Sequence, residues 1–254
     1  MVPACDEEAH IGRCVEAIEL AASRASVSVD VTVVVVLDRC TDETETVGRA
    51  SVSASSGRVR WHWCECDAGL ASSARQFGLE RFLDGLAGDS GDWGAVCVLS
   101  TDADTAVPAD WISRHVALLD AGDDAVAGIV DLDSIVDLDN GGVASIDHEA
   151  WARDYRFEFA ADGTHPHVHA ANLAVRLDAL QAAGGFGHAR RAEDIDLWRR
   201  LGELDGVVRR SDTSSVVTTS ARLDGRVIGG FATALNRLYG PAGSQADRRR
   251  QTPS

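Results

Sequence analysis

The sequence predicts an α/β fold layered α/β/α around a mostly parallel central sheet, and three observations predict it. Strand-like and helix-like stretches alternate from the first residues to about residue 120, the order that produces parallel strands joined by crossover helices. The run from Val31 to Leu37 is β-branched until its last residue, as suits a strand covered on both faces. Carboxylates close two apolar strands, Asp38 after the Val31 run and Asp102 with Asp104 after Val98-Leu99-Ser100. In open α/β sheets, ligands bind beyond such strand ends.

Each element has its own signal. Val2-Pro3-Ala4 is a strand stub. Ile11, Cys14, Val15, Ile18 and Ala22 then recur at helical spacing, behind Asp6, Glu7 and Glu8, where acidic residues favour a helix N-terminus. Thr41 to Ala50 starts a second helix. RVRWHWCECD alternates as a strand does, AGLASSARQFGLERFLDGL reads as an amphipathic helix, and WGAVCVLSTDAD as a fourth strand. From Ala125 the character changes. AVAGIVDLDSIVDLDNGG reads as one or two extended segments with acidic turns, and HEAWARDYRFEFA as a helix. HPHVHAANLAVRLDALQAAGGF reads as strand, helix and a Gly-Gly stop, and ARRAEDIDLWRRLGEL as a helix. GVVRRSDTSSVVTTSARLDGR suggests a strand with a polar loop, and VIGGFATALNRLY a last helix. No repeat or linker divides the chain, so residues 1–240 are expected to form one domain with an elaborated second half. The polar tail 241–254 is expected to be disordered.

Composition sets the class. At 254 residues, 45% hydrophobic and 25% charged, the chain can bury a core without disulfide staples. Its net charge of −16 argues against sequence-independent nucleic-acid binding, which needs a basic footprint. A metal ion or a local arginine cluster can still reverse the field inside one cleft. The six cysteines form no CxxC pair and read as reduced thiols. With no secretory leader and no apolar run of spanning length, the sequence predicts a cytoplasmic protein, peripheral if it works at a membrane.

Four constellations carry chemistry. Asp102 and Asp104 flank the small Ala103, so both carboxylates can reach one hard divalent cation, Mg²⁺ or Mn²⁺. The same spacing recurs at Asp131–Asp133 and Asp137–Asp139, but only the Asp102 copy follows a strand of the alternating half. In RRAEDIDLWRRL, the residues Glu193, Asp194 and Asp196 are either helix N-terminal carboxylates or include one that takes a proton from an attacking hydroxyl. His165, His167 and His169 share one side of an extended segment. They can contact an acceptor or form a polar lining, and no partner ligands mark a zinc site. Trp111, Trp151 and Trp198 can stack on a sugar, with core packing the simpler account of each.

The motifs VPACDEE, VVVVLDRCTDET, LSTDAD, HAANLAVRLDAL, GGF and AEDIDLWRRL, in that order from Val2 to Leu201, resemble family 2 glycosyltransferases of the GT-A fold, and the resemblance extends to about Leu238. Each motif alone is loose, and six in order are specific. The resemblance implies a nucleotide-binding half at about 1–120 and an acceptor-binding half at about 121–240. It implies that Pro3, Ala4 and Glu7 line the nucleotide site, that Asp38 recognises base or ribose, and that Asp102 and Asp104 are the DxD motif holding the metal at the diphosphate. It further implies that Asp194, with Glu193 beside it, is the base of an inverting transfer from a UDP- or GDP-linked sugar to an acceptor hydroxyl. Asn172, His169 and Trp198 would lie on the acceptor side.

Departures from the family pattern are informative. Asp6-Glu7 stands where Asn-Glu is usual, and Arg75 is the nearest candidate for a basic residue usually found after the third strand. VVTTSARLDGR lacks the histidine that often completes the metal site, so either the metal keeps more waters or Arg222 and Arg226 assist the diphosphate. Two rival readings are a nucleotidyltransferase and a nucleotide-sugar-binding protein without turnover. PACDEEAHIGR lacks the glycine-rich phosphate loop of the first, and the intact Asp102, Asp104 and Asp194 argue against the second. A homodimer is compatible with the sequence, which does not fix the oligomeric state.

Overall fold

The computed structural model describes residues 1–52, 57–85, 95–133, 136–138, 142–144, 155, 159–162, 164–187 and 192–220. Strands β1 (Val2–Ala4), β2 (Val31–Asp38) and β3 (Val59–Cys66) form a parallel sheet in the order β1-β2-β3. Helix α1 (Ile11–Arg24) links the first pair, and helix α2 (Thr44–Ala50) lies between the second and third strands. Helix α3 (Ala71–Gly85) leads on to β4 (Cys97–Ser100). The Met1 amine donates to Leu99 O at 2.7 Å and Thr101 N–H donates to Met1 O at 3.2 Å, which brings β4 against β1.

β2 shows why its sequence is apolar without interruption. Val33, Val35 and Leu37 pack with Ile11, Cys14 and Val15 of α1, whereas Val34 and Val36 pack with Ala74 of α3. Both faces are covered, and each valine so buried contributes about 1.5–3 kcal/mol relative to exposure.

The second half adds mixed pairing. Strands β5 (Thr105–Ala106), β6 (Ala125–Leu132), β9 (Leu173–Arg176) and β10 (Arg209–Thr219) join β4 in the order β4-β9-β6-β10-β5. The β6–β10 pair is parallel, while β9 runs antiparallel to both β4 and β6. The α/β architecture is therefore as expected, with the antiparallel strands confined to this half. A small hairpin, β7 (Val136–Leu138) with β8 (Gly142–Ala144), follows β6. Helices α4 (Trp111–Asp120), α5 (Leu177–Ala182) and α6 (Glu193–Gly202) complete the described elements. After α5 the chain turns at Gly184 and Gly185, with φ of 83° and 75°, the left-handed geometry the Gly-Gly stop anticipates. The helices expected in HEAWARDYRFEFA and VIGGFATALNRLY, and the tail, lie outside the described residues apart from Tyr155, Phe159 and Ala160.

β10 contains an interruption that matters for the site. Asp212 pairs with Gly128 and Val216 with Ile129, so Thr213, Ser214 and Ser215 stand outside the ladder as a bulge. The Asn172 amide spans the gap, donating to Ile129 O at 2.9 Å and Ser215 O at 3.0 Å. Gly128 makes this approach feasible: a Cβ there would run into Asn172 Nδ2 and lie 2.8 Å from the Ser215 carbonyl oxygen. Beyond the bulge, β10 delivers Thr219 and Ser220 to the strand ends where Asp104 sits.

Candidate active site

Three strand ends converge with the N-terminus of α6. At β1, the Glu7 N–H donates to Thr44 Oγ1 at 2.6 Å and the Ala4 carbonyl accepts the Cys40 thiol at 3.4 Å, which ties the Pro3–Glu7 turn to the loop after β2. Thr41 N–H donates to Asp6 Oδ1 at 2.6 Å. Ligand atoms of Asp6, Cys40 and Asp42 lie within 4.8 Å of one another, but Asp42 also receives the Glu8 and Thr44 N–H groups at 3.0 Å, and the group serves to knit two loops. At β2, Asp38 is 5% exposed. Its Oδ1 accepts Ala68 N–H at 2.8 Å and Gly69 N–H at 3.1 Å, joining the ends of β2 and β3. Arg39, which the sequence did not single out, places Nε 3.4 Å from Asp38 and 3.7 Å from Asp67.

Among the described residues, the non-glycine positions with positive φ are Asp6 (50°), Arg39 (57°) and Ala192 (51°). They follow β1, follow β2 and precede α6. Such geometry costs about 1–3 kcal/mol and persists where surroundings over-determine it, often at functional sites.

Arg75 is the electrostatic centre. It comes from the first turns of α3 rather than from the loop before it, and is 1% exposed. Its Nε donates to Ser100 Oγ at 2.8 Å, one terminal nitrogen bonds Asp102 Oδ1, and the other lies 3.7 Å from Glu193 Oε1. One guanidinium thus bridges the DxD strand end and the start of α6. Burial pushes the Asp102 carboxyl up to about 6, aided by Asp104, Glu193 and Asp194 and opposed by Arg75. Asp102, Glu193 and Asp194 share one arginine, with Asp104 close enough to raise Asp102, and such a site gains from a further positive charge.

Asp104 faces the other way. It accepts Thr219 Oγ1 at 3.3 Å and Ser220 Oγ at 2.5 Å. It opens into a cavity of about 200 Å³ lined also by His10, Arg13, Cys14, Thr105, Asp133 and Ser220. Asp133, from the second DxD-like copy, pairs with Arg13.

Helix α6 gives its three carboxylates different surroundings. Asp194 is half-buried, accepts its own helix's Ile195 N–H at 2.8 Å, and burial raises its pKa. Glu193 faces Arg75. Asp196 holds Arg199 and Arg200, each at 2.9 Å, and Arg200 in turn donates to Gly185 O at 2.9 Å. Asp196 is therefore structural, while Glu193 and Asp194 face the cleft shared with Asp102.

The acceptor-side expectations fare differently. Asn172 does not line a pocket: it is 0% exposed, and besides its bonds across the bulge its Oδ1 accepts Trp111 Nε1–H at 2.9 Å. His115 Nε2 lies 3.1 Å from the same oxygen, and burial depresses its pKa to about 4. Trp111, 4% exposed, is core. Trp198 packs against the second core under the Arg209 guanidinium, 5.1 Å above its ring. His169 is half-buried, with Nε2 2.9 Å from the Tyr155 hydroxyl. The three histidines place Nε2 against Ala127 O, Tyr155 O and Tyr155 Oη, separate partners rather than a common metal. Arg222, Arg226, Trp151 and Asp139 lie outside the described residues.

Residues 1–183 match the family model described as glycosyl transferase family 2. The chain belongs to that family. Among solved structures, this family 2 chain is similar to residues 1–349 of Staphylococcus aureus TarS in complex with UDP-GlcNAc, at 16% identity and a TM-score of 0.58, over 93% of this chain and 63% of that one. It is also similar to the mannosyltransferase PcManGT from Pyrobaculum calidifontis in complex with GDP-Man and Mn²⁺, at 20% identity and a TM-score of 0.58, over 100% of this chain and 64% of that one. The chain thus spans less than two thirds of either, and the likeness establishes the GT-A fold. No curated protein sequence matches significantly. No helix among the described residues is long and apolar enough to cross a membrane.

Proposed function

We propose that this family 2 chain transfers a sugar from a UDP- or GDP-linked donor to an acceptor hydroxyl with inversion. The observation that carries the reading is the convergence of Asp102, Glu193 and Asp194 on the buried Arg75 at the strand ends, with Asp104 adding its charge to Asp102 from the cavity side. Pro3, Ala4, Glu7 and Asp38 form the wall where the base and ribose would rest. The donor complexes of the two similar structures support a nucleotide-sugar ligand.

The residues fit a divalent cation. Asp104 is a hard oxygen ligand opening into a cavity, Asp102 is crowded by like charges, and Mg²⁺ or Mn²⁺ accepts such donors. Asp104 and Asp102 would hold it, and when bound it would stabilise charge on the departing diphosphate. The chain's own groups do the rest. Asp194 accepts the proton of the acceptor hydroxyl as its oxygen bonds the anomeric carbon from the face opposite the diphosphate. The bond from that carbon to the diphosphate oxygen breaks, and nucleoside diphosphate leaves. Burial keeps Asp194 more basic than a surface carboxylate, as a general base needs. Arg75 holds Asp102 and faces Glu193, so one side chain links the metal end of the cleft to the start of the helix that carries the base.

Release of UDP from UDP-GlcNAc or GDP from GDP-mannose, followed with Mn²⁺ or with chelator, tests this reading. Slow release with water as acceptor, lost in chelator, is expected for one of the two donors. Release of neither, in the presence of metal and a panel of sugar acceptors, would count against transfer.

A further inference from the structure

Arg39 directly follows the end of β2 and holds a left-handed backbone, with φ of 57°, which a residue with a side chain keeps only where its surroundings hold it there. Its N–H donates to Cys66 O at 3.2 Å, fastening the residue to the end of β3. The side chain lies over the loop that follows. A Cβ built on Gly69 would stand 3.3 Å from Cζ, 3.3 Å from Nη1 and 3.4 Å from Nη2 of Arg39. Three near-equal distances from one point mean that the guanidinium meets Gly69 with its flat face rather than its edge. Gly69 has φ of 73°, so the turn and the close approach both call for glycine. The Nε edge of the guanidinium faces carboxylates, 3.4 Å from Asp38 Oδ1 and 3.7 Å from Asp67 Oδ1. The side chain still keeps 52% of its surface exposed. A planar cation, backed by a glycine on one face and open on the other, therefore stands beside Asp38.

We propose that Arg39 is a specificity-determining residue for the donor nucleotide: its open face is the platform on which the base stacks, and together with Asp38 it selects uracil over guanine. This rests on the reading of Pro3, Ala4, Glu7 and Asp38 as the wall of the nucleotide site. Guanidinium planes stack on nucleobases and on other flat π-systems. The hydrogen-bonding capacity of Asp38 points to which base. Its Oδ1 already accepts the Ala68 and Gly69 N–H groups, which leaves Oδ2 for the ligand. Uracil presents a single ring N–H between two carbonyls, and one oxygen satisfies it. Guanine presents its ring N–H beside an amino group, a pair that asks for both oxygens of a carboxylate. One of those donors would be left unpaired against Asp38, which weakens binding. Arg75 does not serve as the platform, because it is 1% exposed and engaged with Ser100 and Asp102.

Calorimetric titration of UDP, GDP and dihydro-UDP, each with Mn²⁺, into the native chain and into Arg39→Gly tests this. Dihydro-UDP keeps the diphosphate and the ring N–H, but its base is puckered and has no π face. The native chain is expected to bind UDP at least about tenfold more tightly than GDP, and about tenfold more tightly than dihydro-UDP, the size of one stacking interaction. Arg39→Gly should weaken UDP by a similar factor and bind UDP and dihydro-UDP alike. Its urea midpoint should be no lower than that of the native chain, because glycine adopts the same φ without strain. A merely structural arginine would instead lose stability together with binding and leave the preference for UDP over dihydro-UDP in place. If Arg39→Gly does not fold, Arg39→Lys, which keeps the charge without the plane, decides by the same comparison. An undiminished preference for UDP over dihydro-UDP in the variant, or GDP binding as tight as UDP in the native chain, overturns the proposal and leaves the transferase reading standing. Failure of the native chain to bind any of the three nucleotides with metal would sink that reading itself, and this proposal with it.

Discussion

Asp194→Asn is expected to lower kcat for sugar transfer by about 10²–10⁴-fold, the usual contribution of a positioned base. Donor affinity should change little, because the proposed base meets the acceptor hydroxyl rather than the nucleotide. The amide has the shape of the carboxylate and its oxygen can still accept the Ile195 N–H bond, so the fold should survive. What it lacks is a site for the acceptor proton. The pH dependence has a definite sign. Burial raises the Asp194 pKa, and only the ionised form accepts a proton. Activity should therefore fall as pH drops through that raised value, at higher pH than an ordinary carboxylate would impose. Asp194→Asn should erase this limb from its residual rate. Asp196→Asn is the matched control on the same helix. It loosens Arg199 and Arg200 and should cost stability while leaving kcat and its pH profile in place. Steady-state kinetics from pH 4.5 to 8 separate the two, and equal kcat in Asp194→Asn and the native chain would remove the base.

Arg75→Met should be the most destabilising single change at the site. The guanidinium is buried, touches Asp102 and Ser100, and lies near Glu193. Removing one member of a fully buried ion pair costs about 3–5 kcal/mol. The loss here should fall below that range, because the Asp102 side chain keeps 39% of its surface exposed and water screens what remains. Without Arg75, the carboxylates repel one another and the Asp102 pKa rises further above its value of about 6. A group with a raised folded-state pKa stabilises the fold below its unfolded value, and that contribution is lost as pH rises through the folded one. The deficit of Arg75→Met should thus be smallest near pH 4–5 and largest above pH 7. Urea unfolding at both ends checks this, and an equal deficit at both would refute the bridging role.

The sheet was legible where physics is local. An unbroken β-branched run has one good home, a strand covered on both faces, and Val33 to Leu37 occupy it. Carboxylates closing apolar strands led to the cleft because strand ends converge in any parallel sheet. The antiparallel insertion of β9 was not legible, since LAVR is equally good in either direction. Nor were the partners of Asp104, because Thr219 and Ser220 reach it from 115 and 116 residues away. The Thr-Thr-Ser run at the end of an apolar stretch was the one available hint. Asn172 misled for a related reason. A polar residue before a strand looks like pocket lining unless one knows that β10 bulges opposite Gly128 and needs an amide to bridge the gap. Arg75 was found, but its span from Asp102 to Glu193 depends on α3, β4 and α6 meeting at one point.

Calorimetric titration of UDP and of GDP, with and without Mn²⁺, into the native chain and into Asp104→Ala bears most directly on the central claim. The claim is that the carboxylate end of β4 holds a cation for a nucleoside diphosphate. One of the two nucleotides should bind with Mn²⁺, weaken markedly without it, and lose about 100-fold or more in affinity in Asp104→Ala. If neither nucleotide binds in the presence of metal, or if binding ignores both metal and mutation, Asp104 holds no such cation and the account of this cleft is wrong.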